Sequence, residues 1–227
     1  MPGVFRTHLY RGLGLNESMR WVVRASREQG IGDFQVVRSQ RCPIDEIVGR
    51  YPEHARVEVA RGVGAGLRYY VGMRGQTDDK LQIVVAALGQ LEDSPWAPLA
   101  LEGAAMMKDF PDPAAETTRL LPRSRRLLEL LPPEGRGDFG RGLGEVCGRL
   151  YARGIPEEEA FLKGFLHSCA GPAGLDNLLG GLGRGMALAS DAPALSEAAR
   201  GAVPGDYWLK VEAGYEAGLA EVAALPE

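Results

Sequence analysis

Glycine recurs at one register in segments that otherwise have the apolar spacing of helices. The chain holds 31 glycines in 227 residues, although a glycine inside a helix costs about 1 kcal/mol relative to alanine. The first glycines of six similar segments, here termed signature glycines, are Gly12, Gly62, Gly103, Gly142, Gly181 and Gly214. They are separated by 50, 41, 39, 39 and 33 residues, and self-similarity near one period indicates a repeat architecture.

The residues around the signature glycines repeat as well. The third residue before each glycine and the first residue after it are apolar or aromatic in all six segments. These two positions are four residues apart, so on a helix they lie on one face. Because small residues let helix backbones approach closely, the pattern predicts that the glycine helices pack tightly against their neighbours. The alternative, in which the glycines mark helix ends, does not explain apolar residues on both sides.

A second helical segment separates successive glycine segments. It is clearest at Leu81–Leu91, Ser124–Leu131 and Glu157–Ala170, and shorter versions lie at Ile44–Val48 and Leu195–Val203. Proline or acidic residues precede or open several of them, as is typical of helix starts. Strand alternation is not convincing anywhere, although residues 59–73 could be argued as a strand pair. We therefore expect an all-α fold, one domain over residues 1–227, built as a solenoid-like array of helical hairpins with about ten to twelve helices.

Composition and charge restrict the class of function. Hydrophobic residues make up 45% and charged residues 25% of the chain, which is typical of globular proteins in water. The net charge of −4 argues against a general nucleic-acid binder. No apolar run reaches the roughly 18 residues of a membrane span, and the first residues lack the core of a secretory signal. Three widely spaced cysteines favour a reducing cytoplasm over a disulfide framework.

Few residues have the spacing of a chemical site. The best constellation is His167 and Cys169 together with Cys147 on the preceding glycine segment. Two buried thiols are the favoured interpretation, with a soft-metal site or a Cys–His nucleophile left as alternatives. The glycine-rich segments lack the lysine of a phosphate-binding loop. We therefore expect no metal and no cofactor.

Charges recur immediately before the signature glycines. Arg11, Arg61, Glu102 and Arg141 occupy this position in four of the six segments. If successive glycine helices lie side by side, Glu102 falls between Arg61 and Arg141. These four residues form either a structural charge ladder or the polar floor of a groove that receives a ligand or partner.

Three stretches carry a family resemblance. The stretches YPEHARVEVARGVGAGLRYYVG (51–72) and LALEGAAMMKDF (99–110) resemble uncharacterised bacterial proteins associated with enediyne biosynthesis. LYRGLGLNESMRW (9–21) is similar to a Gly-Leu-Gly segment of that family that ends in an aromatic residue. The resemblance covers about residues 5–110 and implies a repeat architecture and a bacterial origin. The family has no established activity, so it implies no reaction.

The leading functional hypothesis is a binding or scaffold protein of a bacterial biosynthetic or regulatory assembly, because helical arrays present extended surfaces to partners. A second hypothesis is a small-molecule binder that sequesters a hydrophobic ligand in an apolar groove. An enzyme of unknown reaction is the third. The sequence leaves the partner and the oligomeric state open.

Overall fold

The computed structural model describes residues 2–72, 77–106, 113–152, 175–189, 203 and 205–224. All regular structure in these ranges is helical, with no strand. The helices are α1 (Pro2–Gln29), α2 (Asp33–Ser39), α3 (Ile44–Gly49), α4 (Glu53–Gly72), α5 (Asp78–Gly89), α6 (Ala97–Met106), α7 (Pro113–Leu130), α8 (Pro133–Tyr151), α9 (Leu175–Ala187) and α10 (Gly205–Ala223). The all-α prediction is confirmed for these residues. No helix among them is both long enough and apolar enough to cross a bilayer.

Each signature glycine lies inside a helix, namely α1, α4, α6, α8, α9 or α10. The alternative of helix ends is therefore wrong. Residues 59–72 of the segment that could be argued as a strand pair form the second part of α4, with apolar residues buried against helices on both sides. The second segments at residues 44–48 and 81–91 correspond to α3 and α5. Those at 157–170 and 195–202 lie outside the described residues.

The glycines allow neighbouring helix backbones to touch. A Cβ atom placed on Gly62 would lie 2.1 Å from the carbonyl oxygen of Arg11, and one on Gly103 would lie 1.7 Å from that of Arg61. Gly142, Gly181 and Gly214 face the preceding glycine helix in the same way. In each case the carbonyl belongs to the residue just before the preceding signature glycine. One contact thus repeats at five interfaces, as the glycine register predicts.

A second contact secures most of these interfaces from the other side. A Cβ on Gly14 would lie 2.0 Å from the carbonyl oxygen of Val59, and a Cβ on Gly64 would lie 1.8 Å from that of Ala100. Gly144 and Gly183 make the corresponding contacts with the helices that follow them. Contacts advance in the same direction along both partners, from Gly62 against Arg11 to Gly66 against Leu15. The glycine helices therefore run parallel.

The glycine helices are arranged as a closed ring around a central lumen. They pack in chain order, from α1 to α4, α6, α8, α9 and α10, and α10 also contacts α1. Side chains reach across the centre, since Arg11 on α1 contacts Glu145 on α8 and Glu58 on α4 contacts Arg184 on α9. This differs from the open array expected from the sequence. Close backbone contact makes the ring narrow, so its two ends meet.

The interface between α10 and α1, here termed the seam, is the loosest of the ring. Nothing lies within 4 Å of a Cβ placed on Gly12, so this signature glycine has no backbone contact. Leu9 is 47% exposed, whereas its counterparts at the other five interfaces are buried. On α10, exposed Glu216 stands where earlier helices have buried Gly14, Gly64, Ala105, Gly144 or Gly183. A glutamate at this position prevents the close approach that glycine or alanine permits.

Candidate functional site: a buried ion network and an exposed groove

The lumen is filled by charged side chains, here termed the ion network. They project from all six glycine helices, at positions spaced three or four residues apart on the inward helix faces. Its members are Arg11, Glu58, Arg61, Glu102, Arg141, Glu145, Arg149, Arg184 and Glu221. Each carboxylate of the network contacts at least two arginines.

Glu102 lies between two arginines from neighbouring helices. Arg61 Nε donates to Glu102 Oε2 at 2.8 Å, and Arg141 Nη1 donates to Glu102 Oε1 at 2.7 Å. Arg141 Nη2 also donates to Asn177 Oδ1 at 3.2 Å. Glu102 and Arg61 are buried, whereas the Arg141 side chain is 41% exposed to solvent. The order of charges read from the sequence is therefore the order in space.

Glu58 is the centre of the network. It accepts from Arg11 Nη2 at 2.6 Å, from Arg61 Nη1 at 2.5 Å and from Arg184 Nη2 at 3.0 Å. Burial alone would raise the pKa of this carboxyl, but the three arginines outweigh burial and hold the pKa far below its usual range. Glu58 is therefore ionised throughout the physiological pH range.

The second half of the ring closes the network around Arg184. This side chain contacts Glu145, and its Nε donates to Glu221 Oε2 at 3.0 Å. Burial and the nearby charge of Arg61 lower the pKa of Arg184, while Glu58 and Glu221 act in the opposite direction. Burial of Glu221 would raise its pKa, but Arg184 and Arg61 lower it overall.

This arrangement is suited to structure rather than to proton transfer. A general acid or base needs a pKa near the working pH, whereas Glu58 and Glu221 are pushed the other way. Buried ion pairs add little net stability, but removing one partner is costly because a charge is left unpaired. Within the network each buried carboxylate is therefore paired rather than left as an isolated charge.

The four residues proposed from the sequence, Arg11, Arg61, Glu102 and Arg141, all belong to the ion network. Three of them are buried and only Arg141 is partly exposed. Sequence reasoning missed the remaining members, Glu58, Glu145, Arg149, Arg184 and Glu221. A signal existed, because Glu58 lies three residues before Arg61 and Glu145 lies four residues after Arg141. Both therefore share a helix face with a residue of the charge register.

One buried arginine lies outside the network. Arg68 is 1% exposed, and its Nη1 donates to the carbonyl oxygens of Ala104 and Ala105 at the end of α6, at 2.8 and 3.4 Å. Its Nη2 donates to Ser124 Oγ at 2.7 Å. Burial, with a smaller effect of Arg123, lowers the pKa of Arg68 to about 9.

The proposed cysteine and histidine constellation is only partly within the described residues. Cys147 is buried in α8, while His167 and Cys169 lie outside the described ranges. Burial raises the pKa of Cys42 to about 12, which is typical of a structural thiol rather than a nucleophile. Among the described residues, no cluster of three potential ligands for a metal ion is found.

An open groove runs along the second half of α1. Its lining residues, here termed the α1 groove, are Asn16, Met19, Arg20, Val23, Arg24, Arg27 and Glu28. Met19 and Val23 are half-buried and form the floor, whereas Arg20, Arg24 and Arg27 are exposed. The groove lies next to the seam, because Asn16 and Arg20 follow Gly12 on the same helix face.

Comparison of the chain with protein-family models, curated proteins and solved structures finds no match. The functional argument therefore rests on the geometry of this molecule.

Proposed function

We propose that this protein is a helical-repeat binding or scaffold protein that holds a protein partner and performs no catalysis of its own. The observation that carries the proposal is the exposure of the seam. Leu9 on α1 and Glu216 on α10 occupy positions that are buried at each of the other five interfaces. Helix faces that the repeat normally covers are thus available to another molecule.

The interior of the ring supports this choice over sequestration of a hydrophobic ligand. The lumen is filled by paired arginine and glutamate side chains, which offer an apolar ligand a poor environment. The outer surface near the seam combines apolar and charged groups, as protein interfaces do. A place in a bacterial biosynthetic or regulatory assembly, which was expected from residues 51–72 and 99–110, is part of this proposal.

The proposal is tested by site-specific photo-crosslinking in cells that express the protein. A photoreactive phenylalanine analogue replaces Leu9 or Glu216 at the seam, and Glu92, exposed in the turn after α5, serves as the control position. We expect one protein to crosslink from both seam positions and not from Glu92. The crosslinked partner, once purified, should bind the wild-type chain more tightly than it binds the Leu9→Glu variant. Identical crosslinking patterns from all three positions would contradict the proposal.

A further inference from the structure

The α1 groove has the geometry of a helix-docking surface. Its residues follow the 16, 19, 20, 23, 24, 27 spacing of a single helix face. From Asn16 to Glu28 this face is about 18 Å long, at 1.5 Å per residue. Met19 and Val23 are half-buried at its centre, so the apolar floor lies below the arginines that border it. A partner helix of three to four turns is about the right length for it.

The charges of the groove have little compensation within the part of the chain that the structure describes. Arg24 and Arg27 make no ion pair with the rest of the described chain, and Arg20 pairs only with Glu17 one turn away, with its own side chain 77% exposed. Several exposed arginines elsewhere are paired with acids, as Arg126 is with Asp78 and Arg41 is with Asp93. Glu28 is the single acid among the lining residues. The groove therefore presents a positive rim around an apolar floor, although the whole chain carries a net charge of −4.

We propose that the α1 groove docks an acidic amphipathic helix of a partner protein. Such a helix places apolar side chains at every third or fourth position on Met19 and Val23, and its flanking carboxylates meet the arginines. This inference rests on the proposed binding function and gives the partner its chemistry.

Other occupants fit the charges less well. Two copies of the chain joined through this groove would set three arginines against three, with one glutamate on each side. A bilayer surface requires apolar residues that project beyond the charged ones, whereas Met19 and Val23 are recessed. A helix with carboxylates on both sides of an apolar stripe satisfies both the rim and the floor.

The probe is a fluorescein-labelled peptide of about 16 residues, with leucine at every third or fourth position and glutamate and alanine elsewhere. A second peptide carries lysine in place of each glutamate. Fluorescence anisotropy measures the binding of both peptides to the intact protein. We expect the acidic peptide to bind and the basic peptide to bind at least about tenfold more weakly. Affinity for the acidic peptide should also fall at high salt.

Three variants locate the binding. The first, Arg20→Gln/Arg24→Gln/Arg27→Gln, should weaken the acidic peptide about tenfold. The second is the matched control, Arg38→Gln/Arg41→Gln/Arg125→Gln, which removes the same charge from exposed positions elsewhere and should leave affinity unchanged. The third, Met19→Gln, tests the apolar floor and should also weaken binding. All four proteins are compared by circular dichroism, which shows whether each variant keeps the helical fold. Substitutions of exposed arginines usually change stability by less than about 0.5 kcal/mol.

Several outcomes overturn the inference. Equal loss in the first two variants would show only a general attraction of acidic peptides, and no effect of Met19→Gln would remove the apolar contact. Self-association lost in the first variant would make a second copy the occupant. Binding to vesicles of anionic lipid, but not to the acidic peptide, would show that the α1 groove binds a membrane surface instead of a helix. If seam crosslinks persist while the peptide fails to bind, the binding function stands and only the chemistry assigned to this groove is wrong.

Discussion

Replacing Gly103 by alanine should destabilise the protein, whereas the same change at Gly12 should stabilise it. Both are signature glycines inside helices, so both substitutions gain helix propensity and restrict the unfolded chain alike. They differ in what the new methyl group meets. At Gly12 nothing lies within 4 Å, whereas at Gly103 the carbonyl oxygen of Arg61 lies 1.7 Å away.

The size of the effect follows from that distance. An ordinary carbon–oxygen contact is about 3.3 Å, so α6 and α4 would have to separate by about 1.6 Å at this point. A gap of this size forfeits much of the dispersion energy along the interface, and overpacking of a core typically costs about 1–3 kcal/mol. The obstacle is backbone rather than a movable side chain, so we take the upper value. The gain in helix propensity offsets about 1 kcal/mol of this cost. Gly103→Ala should therefore lower the free energy of unfolding by about 2 kcal/mol. Gly12→Ala should gain about 0.5–1 kcal/mol.

Urea denaturation followed by far-ultraviolet circular dichroism measures both free energies of unfolding, provided that the transitions are two-state. The sign of the difference between the two variants is the critical result. If Gly103→Ala is as stable as Gly12→Ala, the helix backbones are not in contact at Gly103 and the repeated interface described above is incorrect.

Three further predictions concern buried charges and thiols. Glu102→Gln should lower the free energy of unfolding by about 2–4 kcal/mol, because Arg61 loses a buried partner, and adding Arg61→Met should recover part of this loss in the same denaturation assay. The pKa of Glu58 is lower in the folded state than in the unfolded state, where its ordinary value is 4.5. The contribution of Glu58 to the free energy of unfolding is therefore complete above the unfolded-state pKa, and it is lost as the pH falls from there toward the folded-state pKa. Denaturation at a series of pH values should show this decline, with a slope smaller by up to about 1.4 kcal/mol per pH unit in Glu58→Gln, and an equal slope in both proteins would contradict it. Cys42 should react with a thiol reagent at pH 8 only after denaturation, because burial raises its pKa to about 12; rapid labelling of this residue in the native protein would show that it is accessible.

The repeat register was readable from the sequence because it depends on residues close together in the chain. Ten of the twelve apolar positions that flank the signature glycines are buried. The exceptions, Leu9 and Leu13, both belong to α1, which lies at the seam. The pairing of Glu102 with Arg61 and Arg141 also follows from one register applied to successive helices.

The closure of the ring was not readable in the same way. Arg11 meets Glu145 and Glu58 meets Arg184 across separations of 134 and 126 residues. No local pattern encodes such a distance, because it depends on the small rotation between neighbouring helices summed over the whole ring. The missing backbone contact at Gly12 could not be predicted for the same reason, since its motif is identical to RGLG at 141–144 and only the geometry of closure separates them.

The hydrogen bonds of Arg68 explain how a cation is tolerated in the interior away from the ion network. The peptide dipoles of an α-helix add to roughly half a negative charge at its C-terminus, and Arg68 donates to two of the last carbonyl groups of α6. The counter-charge of this arginine is therefore delocalised over a helix end rather than localised on an acidic side chain. Because the glycine helices run parallel, their negative ends gather at the same face of the ring. A positive side chain buried there offsets part of the electrostatic cost of aligning those helices.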